Sequence, residues 1–123
     1  RSADMIIYGV GRADETAEKR GLEPGLMKLL DEKQAVGEVL GDFICADGQV
    51  VYRSATLSAD LLADKPDATR IVVASGSRKA LAILASVRSR PPHVLVLDEG
   101  AARAMLELIN QPQGGATIQE AKP

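Results

Sequence analysis

Tryptophan is absent from this chain, and Tyr8, Phe43 and Tyr52 are its only aromatic residues, so any core must be aliphatic. Cysteine is almost missing too. Cys45 stands alone, which rules out an internal disulfide, and nothing around it has the spacing of a metal-ligand cluster. A lone thiol fits a reducing compartment such as the cytoplasm. No apolar run approaches the roughly 20 residues needed to cross a bilayer, and no signal peptide is present. The formal net charge is only -2, with acids and bases interleaved, a poor footprint for gripping a phosphate backbone. This segment by itself is therefore not expected to bind DNA.

What is present is enough for one domain: 123 residues, 46% of them hydrophobic, with no internal repeat. Three short apolar runs, Met5 to Tyr8, Ile71 to Ala74 and Val94 to Leu97, have the continuous hydrophobicity of parallel strands buried on both faces. Each ends in a loop and then meets a helical pattern. The loops are Gly9-Val10-Gly11-Arg12, Ser75-Gly76-Ser77 and Asp98-Glu99-Gly100. The first helix is expected from about Ala13 to a stop at Gly21, and Pro24 opens another through Leu30. Leu81, Ile83, Leu84 and Val87 mark the helix after the second strand. Ala102, Met105, Leu106 and Ile109 form the stripe of the last one. Between these units Phe43 to Tyr52 predicts a β-hairpin around Asp47-Gly48, a two-residue turn with positive φ at both positions.

Three parallel strands and a hairpin make a thin sheet, which would leave a long hydrophobic edge. The chain also begins at Arg1, almost directly before the first strand. The expectation is that another polypeptide segment completes the sheet: an upstream portion, a partner chain or a swapped element. Residues 1–110 then form the ordered part, and 111–123, with Gly114-Gly115 and no stripe, form a flexible tail.

The loop with most chemical content is Ser75-Gly76-Ser77-Arg78-Lys79. A glycine loop between strand and helix offers unpaired N–H groups and the positive end of a helix dipole, where cations are unfavourable unless an anion binds. Solvated side chains would explain Arg78 and Lys79 equally. Gly9-Val10-Gly11-Arg12 also lies at a strand's carboxyl end, where ligands bind in open α/β sheets. It lacks the third glycine and the downstream acid of a dinucleotide fingerprint, so no cofactor is implied. Asp14 and Glu15 fit as first-turn acids, Lys19 and Arg20 as last-turn cations. Glu38, in a loop between glycines, has either sugar hydroxyls or solvent to accept from. His93 opens an apolar strand in a structural role, and Asp98 caps the final helix. No acid–base pair stands out by spacing, and no catalytic or metal-binding residue is assigned.

Four stretches, MIIYGVGRADETAEKRG, AVGEVLGDFICADGQVVY, IVVASGSRKALAIL and VLVLDEGAARAML, come in an order that resembles the effector-binding domain of the SorC family of bacterial sugar-responsive regulators. The resemblance implies an α/β, Rossmann-like three-layer sandwich, with a mostly parallel sheet plus a β-hairpin, similar to glucosamine-6-phosphate deaminase. Only the C-terminal part of that domain would be present. It implies a phosphorylated-sugar effector, fructose 1,6-bisphosphate for the glycolytic branch of the family, whose binding changes subunit association and operator affinity. DNA would be met only through an N-terminal helix-turn-helix outside this chain. No membrane partner is implied, and a homo-oligomer or pairing with the missing half of the domain is. Carried over by position, Lys79 would meet one phosphate, Lys19 and Arg20 the other, and Glu38 the sugar hydroxyls, with Arg12 and the Gly76 backbone in support. Ser75-Gly76 departs from the Gly-Gly frequent in relatives, which puts loop width and effector choice in question.

The alternative is a sugar-phosphate isomerase or deaminase of the same fold. Those deaminases carry an acid–Gly–His sequence where this chain has Gly11-Arg12-Ala13-Asp14, and an arginine cannot act as a base at neutral pH. The expectation is a sensor, not an enzyme.

Overall fold

The structure is a computed structural model and describes residues 5–54 and 64–111. Its elements are β1 (Met5–Tyr8), β2 (Gly11–Arg12), α1 (Ala13–Arg20), α2 (Pro24–Glu32), β3 (Ala35–Val39), β4 (Asp42–Cys45), β5 (Val50–Arg53), β6 (Thr69–Ala74), α3 (Ala80–Ser89), β7 (Val94–Leu97) and α4 (Glu99–Asn110). A short 3₁₀ turn, Ser77–Lys79, leads into α3. The tail expected at 111–123 lies almost wholly outside the described residues.

The expected strands and helices form, but in two sheets instead of one. β1, β6 and β7 make a parallel sheet with β6 in the middle. β2, β3, β4 and β5 make a separate antiparallel sheet. Gly11-Arg12, expected as loop, pairs as β2 with Glu38 and Gly37 of β3. That places Glu38 in a strand, correcting the loop assignment: the positive-φ residues stand on either side of it, at Gln34 and at Leu40-Gly41.

The turn with two positive φ values occurs in this sheet, at a different place from the one expected. Leu40 (φ 52°) and Gly41 (φ 92°) join β3 to β4 in the geometry that matches strand twist. At the Asp47-Gly48 hairpin only Gly48 has positive φ. The Gly48 N–H donates to the Cys45 carbonyl and the Cys45 N–H to the Gln49 carbonyl, so the loop is three residues long. Asp47 Oδ1 accepts from the Gln49 N–H and the Cys45 thiol, which supplies the turn by side chain instead of by backbone twist.

Helix α3 packs against both sheets. Ala80, Ala82, Ile83, Leu84, Ala85 and Ser86 are all buried, so it is apolar nearly all round, as a central helix must be. Its small residues let backbones approach. A Cβ on Gly37 of β3 would sit 3.1 Å from the Ala82 Cβ. A Cβ on Gly48 would sit 2.6 Å from the Ser89 nitrogen, so the hairpin tip rests directly on the end of α3. Arg88 secures it by donating to the Ala46 carbonyl at 3.0 Å. Ile6, Tyr8, Val72 and Ala74 pack with Ile83, Leu84, Ala101 and Met105 in one core. Phe43, Ala13, Ala17 and Leu30 make a second under α1 and α2.

The stripe expected on α4 is rotated. Ala101, Ala104, Met105 and Leu108 face the core, whereas Leu106 and Ile109 are more than half exposed. Leu81 likewise turns outward from α3. The parallel strands bury one face only. Met5, Ile7, Val73, Val94 and Val96 on the other face are 43–62% exposed. This is the uncovered apolar surface the thin sheet led one to expect, as a face instead of an edge.

Asp98 caps α4 as expected, accepting from the Ala101 N–H at 2.9 Å. It also accepts from the Gly76 N–H at 3.1 Å, tying the end of β7 to the end of β6. These backbone bonds, that to Ala101 first and that to Gly76 second, hold its carboxyl below the usual carboxylate range. A depressed folded-state pKa stabilises above the unfolded value of about 3.9 and loses that contribution as pH falls through the folded value. Asp98→Ala should therefore lower the melting temperature at pH 7, with the gap to wild type closing below about pH 4. Gly48→Ala should cost on the order of 2 kcal/mol or more in urea unfolding, from backbone overlap and positive φ together. Gly25→Ala, in α2 with open space around it, should cost nothing.

Candidate functional site

The carboxyl ends of β1 and β6 lie side by side, since the strands are paired and a Cβ on Gly9 would sit 3.6 Å from the Val73 carbonyl. Everything that follows each strand therefore converges on one rim: β2 and the start of α1 after β1, the Ser77–Lys79 turn after β6, and Asp98 after β7. Arg78 ties the first two together through an ion pair with Glu15 at 3.1 Å. Nothing in local spacing foretells that pair, because its members are brought together by strand pairing alone.

The candidate residues meet in part. Glu38 is 92% buried, or 8% exposed, and its Oε2 accepts from the Gly41 N–H at 2.7 Å and from Arg20 Nη2 at 3.1 Å. One bond aims the carboxylate through the turn; the other brings a guanidinium from the last turn of α1 onto the same oxygen. Arg20 stays 41% exposed and keeps the rest of its fork available. Lys19 is exposed one position earlier and makes no polar contact among the described residues. The basic pair is thus split: Arg20 belongs to the rim, Lys19 to the surface.

Lys79 ends the 3₁₀ turn, half-buried, with no side-chain partner among the described residues. Its own N–H donates to the Gly76 carbonyl at 3.1 Å. The Gly76 N–H is committed to Asp98, so it does not point free into the rim. Gly76 instead serves by its φ of 97°, which lets the chain swing from β6 into the turn.

Arg12 clamps Asp14 with two bonds, Nε to Oδ1 at 3.1 Å and Nη2 to Oδ2 at 2.6 Å. The pairing holds the Asp14 carboxyl below its ordinary range and pushes the guanidinium up. Arg12 and Arg78 share an open cleft of about 400 Å³ with Asp14, Asp31, Val36 and Leu81. Lys79, Arg20 and Glu38 do not line that cleft.

His93 lies at the amino end of β7, away from the rim, where Nδ1 accepts from the Arg70 N–H at 2.9 Å. Its N–H donates to the Arg70 carbonyl at the same distance. The structural role expected of it is what it performs. Among the described residues no group of His, Cys, Asp or Glu is placed to hold a metal. The rim offers cations and one aimed carboxylate, a set suited to holding an anionic, hydroxyl-bearing molecule.

Comparison with known proteins agrees with this chemistry. A family model for a sugar-binding domain matches residues 1–107. The central glycolytic genes regulator of Bacillus subtilis is 39% identical over 108 residues, covering 86% of this chain and 31% of that protein. The transcriptional regulator LsrR of an Enterobacter strain is 35% identical, with 87% of this chain and 36% of that protein covered. Among solved structures, a SorC family transcriptional regulator from Enterococcus faecalis superposes with a TM-score of 0.74 at 33% identity, over 85% of this chain and 42% of that one. The sugar-binding domain of a transcriptional repressor from Vibrio fischeri gives 0.67 at 27% identity, over 89% and 46%. The chain spans about a third of the length of the curated relatives it matches. With its strand order, its rim of cations and its aimed glutamate, the chain belongs to the sugar-binding domain family of SorC-type transcriptional regulators.

Proposed function

We propose that this chain is the C-terminal part of an effector-sensing domain, and that its effector is a phosphorylated sugar, fructose 1,6-bisphosphate being the first to test. The observation that carries the reading is Glu38, a buried residue whose carboxylate the Gly41 N–H aims at the strand-end rim, with Arg20 on the same oxygen. Lys79 takes one phosphate and Arg20 the other, with Lys19 adding charge from the surface beside it, and Glu38 takes the ring hydroxyls. Arg12 and the Gly76 turn shape the walls. Binding alters subunit association and operator affinity of the parent regulator, whose DNA-reading helices lie outside this chain. The role is sensing and not catalysis, and the setting is cytoplasmic.

Calorimetric titration with fructose 1,6-bisphosphate tests this. Lys79→Ala should weaken binding by about tenfold or more while leaving unfolding stability within about 0.5 kcal/mol, since a charge-assisted bond to phosphate is lost and no internal partner is left behind. Unchanged affinity would remove Lys79 from the phosphate site. Isomerisation or ammonia release from phosphosugars would overturn the sensor reading.

The open face of the parallel sheet belongs to the same proposal. The occupant is the remainder of the domain, argued from a solved sugar-binding domain of which this chain covers only 46%. The chain alone should bind a hydrophobic dye, and Ile7→Lys with Val96→Lys should reduce that binding at little cost in stability. A monomer that binds no dye speaks against an unfinished sheet.

A further inference from the structure

The notch beside Gly11 draws two oxygens to one point. Gly11 pairs with Glu38 across the β2–β3 ladder. A Cβ on Gly11 would lie 2.6 Å from Thr16 Oγ1 and 3.5 Å from Glu38 Oε1, so only glycine leaves this space open. Glu38 Oε2 is already used by Gly41 and Arg20. Oε1 has no hydrogen-bond partner among the described residues, although the side chain is only 11% exposed. A buried carboxylate oxygen left unmatched is costly. Yet Oε1 is not sealed, because Arg70 Nε alone among the described residues is both sealed and unpartnered. The oxygen therefore keeps an opening through which a ligand can reach it.

Thr16 shows the same lack of a partner. It lies in the first half of α1, where a threonine commonly returns its hydroxyl to the carbonyl four residues earlier. Here its hydroxyl bonds to nothing among the described residues. A carboxylate only accepts hydrogen bonds, whereas a hydroxyl both donates and accepts. Flanking the same point over Gly11, they complement two neighbouring hydroxyls of a ligand: one donates to Glu38 Oε1, the other exchanges a bond with Thr16. A phosphate oxygen would be repelled at this spot, so the notch selects for the polyol portion of the ligand and not for its charge.

We infer that Thr16 is a specificity-determining residue, which with Glu38 Oε1 recognises a pair of adjacent ligand hydroxyls over Gly11. This rests on the sugar-phosphate reading above and assigns a contact that reading does not include.

The test compares fructose 1,6-bisphosphate with 1,6-hexanediol bisphosphate, which has two phosphates and no ring hydroxyls, by calorimetry on the full-length parent regulator. Wild type should prefer the sugar. Thr16→Val should weaken the sugar by about tenfold and leave the diol bisphosphate unchanged. Thr16→Ser, which restores the hydroxyl, should return to within about threefold of wild type, and serves if the valine variant folds poorly. Equal sugar affinity in Thr16→Val, or an equal loss for both ligands, overturns the inference and leaves the sensor reading standing. Equal wild-type affinity for both ligands keeps an anion site but overturns the hydroxyl contact. Failure of wild type to bind either ligand overturns both.

Discussion

The structure depends on how closely helix α3 can approach the antiparallel sheet. Gly48 lies on the Ser89 backbone with no room for a methyl group, and a Cβ on Gly37 would press on Ala82 at 3.1 Å, tighter than ordinary contact. They let one helix serve two sheets, closing the core on β1 and β6 while bearing on β3 and β4. In a chain with so few aromatic residues, density has to come from this kind of proximity, since dispersion falls off steeply with any gap. It also has a consequence for chemistry. Because α3 and the sheet are locked, the turn that precedes α3 and the strand that carries Glu38 are held on a common rim.

On that rim the charges are mostly matched in pairs, Arg12 with Asp14 and Arg78 with Glu15. Exposed pairs of this kind add little stability, so they explain the shape of the entrance better than the strength of the fold. Glu38 differs. It is the one buried acid among the described residues, and its bond to Gly41 braces a turn in which Leu40 takes a φ of 52°. A non-glycine residue in that region carries strain, and such strain tends to collect beside functional sites. One oxygen of Glu38 holds the turn; the other faces the notch. Site and turn are in this way mechanically joined.

Much of the architecture was legible from residue order. The three apolar runs became the parallel sheet in register, Gly21 ended α1 in a left-handed cap, and Pro24 opened α2. Where structure and pattern part, the cause is shared. Spacing alone draws the α4 stripe through Leu106 and Ile109, but the space against α3 admits Ala101 and Ala104. Surrounding glycines suggest a loop at Glu38, yet Gly37 is there for packing and Gly41 for a turn. Glycine marks a need for room or for positive φ, and spacing alone does not say which.

The sequence by itself determined the local matters: which segments extend, which coil, where they stop, that the core is aliphatic, and that no disulfide forms within it. Order along the chain also carried the family likeness, because four stretches in succession specify more than any one of them. Tertiary structure alone decided which polar groups meet. Arg78 lies 63 positions from Glu15, and Asp98 lies 22 from Gly76, separations at which no periodicity survives. It also decided that one face of the parallel sheet stays open while the strands look buried on both. Hydrophobic pattern records which surfaces require cover; only the packed chain shows which of them this chain covers itself.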